Sequence, residues 1–219
     1  MNGILSENRK QNKFAKIVIN HILNNKKEYF VSVLLFFIGI IISIIFINNI
    51  NDSQYSQISN YIKDIIIKIQ STDKFNYTRL FKESFLSNFT LIIIIWIASS
   101  TIIGIPIVYG NLIFKGFTLG YTISSIINVL GAKNGFLYVL SSMLLHNLIS
   151  IPLILAASVS GIKLYKSIVK NKERENVKLE FIRHTVFCII MLLGLIFSSI
   201  IEVYISTNLV KFLTYYINF

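Results

Sequence analysis

The chain has 219 residues, of which 54% are hydrophobic, and its charge rests on only 21 Lys and Arg against 10 Asp and Glu. Side chains of that kind cannot coat a water-soluble globule, which excludes an ordinary soluble enzyme and points to an integral membrane protein. The formal charge of +11 would suggest nucleic acid in a soluble chain, but these basic residues flank apolar runs, where they set topology and attract anionic lipid. Membrane lipid, not nucleic acid, is the expected partner. The single cysteine, Cys188, lies in an apolar run and cannot form an internal disulfide.

Taken in order, residues 1–28 form a basic N-terminus. Phe14, Ile17, Val18, Ile22 and Leu23 recur at helical spacing, with Lys10, Lys13 and Lys16 largely off that face, as in a helix lying on the cytoplasmic membrane surface. A first span is predicted at 29–47. Residues 48–88 then read as a loop holding two amphipathic helices. In the first, Tyr55, Ile58, Tyr61, Ile62, Ile65 and Ile69 share a face, which either packs on the rim of a bundle or docks a partner. The second runs from Tyr77 to Asn88.

Between Ser84 and Gly161 the only charged side chains are Lys115 and Lys133. Phe89 to Val129 as one straight helix would run about 60 Å at 1.5 Å per residue, twice the thickness of the hydrocarbon core. The chain must therefore turn back. Gly104, Pro106, Gly110 and Lys115 mark the middle of this stretch, and a lysine at mid-membrane costs about 2.5–3.5 kcal/mol on insertion scales. These features predict a turn between Pro106 and Gly116, with spans near 89–107 and 112–130. A glycine turn at Gly131–Gly135 leads to a fourth span at 136–160, which contains Pro152. A charged connection at 161–183 precedes a fifth span at 184–204 and an aromatic interfacial tail at 206–219. The expected fold is an all-α polytopic bundle of about five spans. Lys and Arg number 14 on the N-terminal side and seven on the other, which favours an N-terminus inside and a C-terminus outside, with loop 48–88 extracytoplasmic.

Chemistry inside such a bundle must come from its buried polar groups. His146 and Asn147 lie near mid-membrane in the fourth span, followed one turn later by Ser150. Candidate partners are Ser99, Ser100, Thr101, Tyr121, Ser124, Ser125, Asn128, Ser198 and Ser199. The cluster reads first as a hydrogen-bond network that fixes packing, and second as a transport or proton-handling site. Catalysis is disfavoured, because the central block offers no acid to pair with the histidine, no HExxH and no metal-ligand spacing. No catalytic, cofactor-binding or metal residues are therefore assigned. Gly116 and Gly120 form a G-x-x-x-G pair suited to close helix approach, within the chain or in a homo-oligomer.

The ordered set SFLSN, GIP, KGFTLG, GAKNGF and HNLISIP resembles the stage II sporulation protein M family over roughly Gln11 to Leu213. Where the wider superfamily tends to read N-G-x-x-x-G and H-G-x-x-E, this chain has Lys115 before Gly116 and Gly120, and His146, Asn147 and Ser150 in the second element. The resemblance implies a non-enzymatic scaffold of the engulfing septal membrane. Such a scaffold holds peptidoglycan hydrolases resembling stage II sporulation proteins P and D, with loop 48–88 facing them. A transporter or export permease subunit is the competing expectation, motivated by His146, Asn147 and the Gly104–Pro106 interruption.

Overall fold

The computed structural model describes residues 19–72, 74–101, 103–170 and 174–214, and no strand occurs among them. Seven principal helices follow one another: α1 (Lys26–Asn48), α2 (Asp52–Ser71), α3 (Tyr77–Ser99), α4 (Gly104–Val139), α5 (Leu145–Lys170), α6 (Arg174–Ile201) and α7 (Thr207–Thr214). Two π-helical turns interrupt the series, Leu140–Leu144 before α5 and Glu202–Ser206 before α7. Four helical stretches are long and apolar enough to cross a membrane: Lys26–Asn48, Tyr77–Ser99, Gly104–Val169 and Val177–Thr214. Their outer surfaces carry large apolar side chains such as Phe30, Phe37, Phe114, Leu148 and Leu193. Hydrocarbon, not water, is the solvent such a surface requires.

The third stretch folds back on itself. Gly131 adopts φ 78° and ψ 165°, a backbone conformation open to glycine and strained for residues with a β-carbon. Beyond it, a β-carbon on Gly135 would lie 2.6 Å from Ile127 Cα. Residues eight apart in a straight helix would be about 12 Å apart, so Gly131 is the tip of a hairpin. Tyr138 on the returning limb packs on Ile126 of the outgoing one.

Glycines also set how closely α1 approaches α4. A β-carbon on Gly116 would strike the carbonyl oxygen of Phe36, one on Gly120 would strike Ser43 Oγ, and one on Gly39 would strike the carbonyl of Ile113. The G-x-x-x-G face is thus an intramolecular seam. Around it, Ile92, Ile95, Leu112, Ile154, Leu155, Ala157 and Leu195 form the main apolar core.

Several predicted boundaries move. The turn expected between Pro106 and Gly116 lies instead between Ser99 and Gly104, where the amide of Thr101 donates to Ala98 O at 3.0 Å and that of Gly104 to Thr101 O at 3.1 Å. Gly104 fits this tight turn because a β-carbon there would meet the Ala98 carbonyl. Pro106 falls in the first turn of α4, where its missing N–H has no helical acceptor to lose. The spans predicted at 89–107 and 112–130 become α3 and the outgoing limb of α4, each beginning earlier. Residues 77–88, expected as a separate amphipathic helix, are the first half of α3: Asn76 caps it by accepting from the Arg79 amide, and no breaker follows before Ser99. The predicted fifth span is embedded in the longer α6. Of the interfacial tail, residues 207–214 form α7, and residues 215–219 lie outside the described residues, as do residues 1–18 of the N-terminal helix. Pro152 sits inside α5 without ending it.

Substituting Gly116 with Val should lower stability by about 1–3 kcal/mol by overpacking the α1–α4 seam. Gly110, whose β-carbon would meet nothing within 4 Å, should tolerate Ala. Thermal unfolding of the two variants in detergent, each against the parent chain, reads the contrast.

Candidate intramembrane polar site

Lys115 precedes Gly131 by 16 residues and His146 follows it by 15. On antiparallel limbs that equal spacing brings both side chains to one depth, roughly 22–24 Å from the hairpin tip at 1.5 Å per residue. Lys115 was expected in a cytoplasmic turn; it stands instead on the outgoing limb of the hairpin, within the bundle.

The residue that balances it comes from the end of α6. Glu202 lies within longer electrostatic range of Lys115, with no ion pair between them within 4 Å, and its Oε1 lies 3.9 Å from His146 Nε2. That distance is beyond hydrogen-bond range, so the contact is electrostatic. The other oxygen, Oε2, accepts a hydrogen bond from Ser84 Oγ at 2.6 Å. Ser198 Oγ donates to the His146 carbonyl at 2.8 Å, and Asn88 Nδ2 donates to Ser199 Oγ at 2.9 Å. Asn147 and Ser150 are buried beside them, with Ser150 Oγ 3.4 Å from Asn147 Oδ1. Helices α3, α4, α5 and α6 therefore each deliver a polar group to the same zone.

The two π turns explain the aim of two of these groups. One ends just before His146 and the other begins at Glu202, and the two turns pack against each other. A residue added to a helical turn rotates everything downstream by about 100°, and such bulges recur at functional sites.

Above this zone lies a cavity of about 590 Å³ between α2 and the α4 hairpin, with His146 and Glu202 in its lining. Tyr61, Ile62 and Ile65 of α2 form one wall, and Tyr121, Ser125 and Tyr138 contribute to the facing one. The hydroxyls of Ser125 and Ser142, which also line it, are buried without a hydrogen-bond partner in the protein. α2 is fixed at both ends: an Asn51–Gln54 capping box starts it, Tyr55 Oη donates to Asn128 O at 3.4 Å, and Gln70 Nε2 donates to Thr214 O at 2.6 Å. Of the face proposed for partner docking, Ile62 is buried against Ile126 and Val210, with Ile58 and Ile69 packed beside it; Ile65 is half-buried. Tyr55 and Tyr61 are exposed.

A second polar cluster sits deeper in the bundle. Ser160 Oγ is 3.0 Å from His184 Nδ1, and Cys188 Sγ is 3.5 Å from His184 Nε2. The Leu195, Ile154 and Ile95 layer separates it from the Glu202 zone. The cavity under α2 is thus floored by charge and backed by hydrocarbon.

Sequence reasoning missed Glu202. Its signal was present: it is the sole acidic residue after Glu180 in a run otherwise apolar enough to span, and lone intramembrane carboxylates are functional candidates by default. The search for an acid stopped at the central block, and Glu202 arrives from outside it.

An all-helical membrane bundle with a charged group at mid-depth is the class these features define. The profile of the family described as Stage II sporulation protein M matches residues 32–207, and the chain belongs to that family, among sporulation-related membrane proteins. It is similar to an uncharacterized protein of Methanocaldococcus jannaschii, 29% identical over 191 residues that cover 83% of this chain and 95% of that one. No solved structure matches it.

Glu202→Leu should cost about 2 kcal/mol, less than the 3–5 kcal/mol of a fully buried pair because the carboxylate keeps contact with the cavity. Asn88→Leu, which removes one neutral hydrogen bond, should cost about 1 kcal/mol. Chemical unfolding of the two variants in mixed micelles should rank them in that order.

Proposed function

We propose that the chain is a non-enzymatic scaffold of the sporulation engulfment machinery, placed in the septal and engulfing membrane of the mother cell. There it localises peptidoglycan hydrolases resembling stage II sporulation proteins D and P. The observation that carries this reading is α2, an amphipathic helix fixed across one end of the bundle. Its inner face is packed on Ile126 and Val210, while Ile67 is 54% exposed on its outer side and Tyr61, 68% exposed, stands at the edge of the cavity. Wall hydrolases act outside the membrane, and the orientation we infer puts α2 on that side.

Five membrane passes follow when the two limbs of the α4 hairpin are counted separately. Gly131, α2 and α7 then share one end, joined by the Tyr55–Asn128 and Gln70–Thr214 hydrogen bonds. The end of α3, the start of α4 and the facing ends of α5 and α6 share the other. Moving Lys115 into the bundle removes it from the cytoplasmic tally but leaves the basic excess on the N-terminal side. Docking therefore uses the outward edge of α2, not its Ile62 face: Ile67 and the charged Lys63, Asp64 and Lys68. Chemistry belongs to the docked enzymes.

A transporter or permease subunit is the second reading, supported by the Lys115–Glu202–His146 group. The apolar layer behind that group counts against a continuous path through the bundle in this conformation.

Affinity purification from sporulating cells, with mass spectrometry of the co-purifying proteins, tests the scaffold. The parent chain should recover wall hydrolases, and Lys63→Glu with Ile67→Glu should cut that recovery at least several-fold while the protein still inserts. Unchanged recovery would remove α2 as the dock. Recovery of a cytoplasmic ATPase in place of hydrolases would favour the transporter.

A further inference from the structure

Two recesses flank the seam between the limbs of the α4 hairpin. The first is the 590 Å³ cavity under α2, within the size range of small-molecule sites. Among its lining residues the one formally charged side chain is the Glu202 carboxylate, and no Lys or Arg takes part. Lys115 senses Glu202 but is not part of that lining. Glu202 Oε2 is engaged by Ser84, whereas Oε1 has His146 Nε2 at 3.9 Å and no hydrogen bond. Tyr121, Tyr138, Ser125 and Ser142 line the same space.

The second recess, about 350 Å³, is lined by Leu119, Ile123, Leu144, Leu148 and Ile151 among others, and is almost wholly apolar. Successive faces of the outgoing limb divide between the two: Thr122 and Ile126 look into the first, Leu119 and Ile123 into the second. Met143 lines both. A methionine is the most adaptable wall available, unbranched and with three rotatable side-chain bonds.

We propose that the two recesses form one binding site for a membrane amphiphile that carries an ammonium head and an apolar tail. The head lies on Glu202 Oε1, with its N–H groups donating to the carboxylate. The electron-rich faces of Tyr121 and Tyr138 flank it, as aromatic rings flank other organic cations. The tail passes Met143 into the Leu119–Leu148 recess, where it replaces contact with bulk lipid. Charge complementarity selects the head: an anionic group would meet a carboxylate with no lining cation to receive it. The source of the ligand is the surrounding bilayer, and aminolipids are its natural members. The site requires only that the chain lie in a membrane, and it stands apart from the hydrolase reading.

The experiment uses the full chain in phosphatidylcholine nanodiscs with two matched photoreactive probes, octadecylamine and octadecyl sulfate, each bearing a diazirine on the alkyl chain. Peptide mapping should place the amine adducts on segments 119–123 and 143–151, in about tenfold excess over the sulfate probe, and unlabelled octadecylamine should compete. Glu202→Gln should remove most of that excess. Met143→Trp, which leaves the carboxylate in place, should block labelling of segment 119–123, so the site remains testable if the Glu202 variant does not fold. Equal labelling by both probes would overturn the proposal. So would adducts spread evenly over outward positions such as Phe30 and Leu193, or labelling indifferent to Met143→Trp.

Discussion

A lysine carried into the middle of an apolar hairpin cannot be left alone, and much of this bundle is arranged around that constraint. Lys115 and His146 reach the same depth because the hairpin tip at Gly131 lies midway between them in sequence. Glu202 reaches that depth from α6, and Ser84 of α3 holds one of its oxygens at 2.6 Å. Low dielectric strengthens the attraction among these charges and raises the cost of losing any member. The π turns at Leu140–Leu144 and Glu202–Ser206 are consistent with this demand, since each re-aims one participating helix.

The same constraint explains what the sequence could and could not reveal. Apolar length announced the membrane class, and the periodicity of Tyr55 to Ile69 announced α2, because both depend on local spacing. Gly116 and Gly120 announced a close helix contact, and that contact is with Phe36 and Ser43 of α1. The turn went astray because Pro106 and Lys115 both looked hostile to a helix. Pro106 is harmless in a first turn, and Lys115 is tolerated through a charge from a helix nearly ninety residues later in the chain. Partners that meet only through tertiary packing leave no spacing to read. Glu202 was visible as a lone acid, but its meeting with His146 was not.

Function follows the division of the molecule into two ends. One end carries α2 over a cavity with a charged floor, and exposes Ile67 outward. Toward the other end, the His184, Ser160 and Cys188 cluster is separated from that floor by the Leu195 layer. A bundle closed in its middle and presenting a fixed helix at one surface suits a platform better than a conduit. Ser150, one turn after His146 in α5, carries no charge, and the carboxylate beside that histidine is Glu202, 3.9 Å away.

Charge exchange tests that pairing most directly. Lys115→Glu and Glu202→Lys, made singly, each place two like charges at one depth, and made together they restore an opposite pair. If the two charges act on each other across this zone, the double variant should be more stable in detergent than either single variant, with a coupling of about 1 kcal/mol in the cycle. Additive losses, with the double variant the least stable of the three, would contradict the account and return Lys115 to a site of its own.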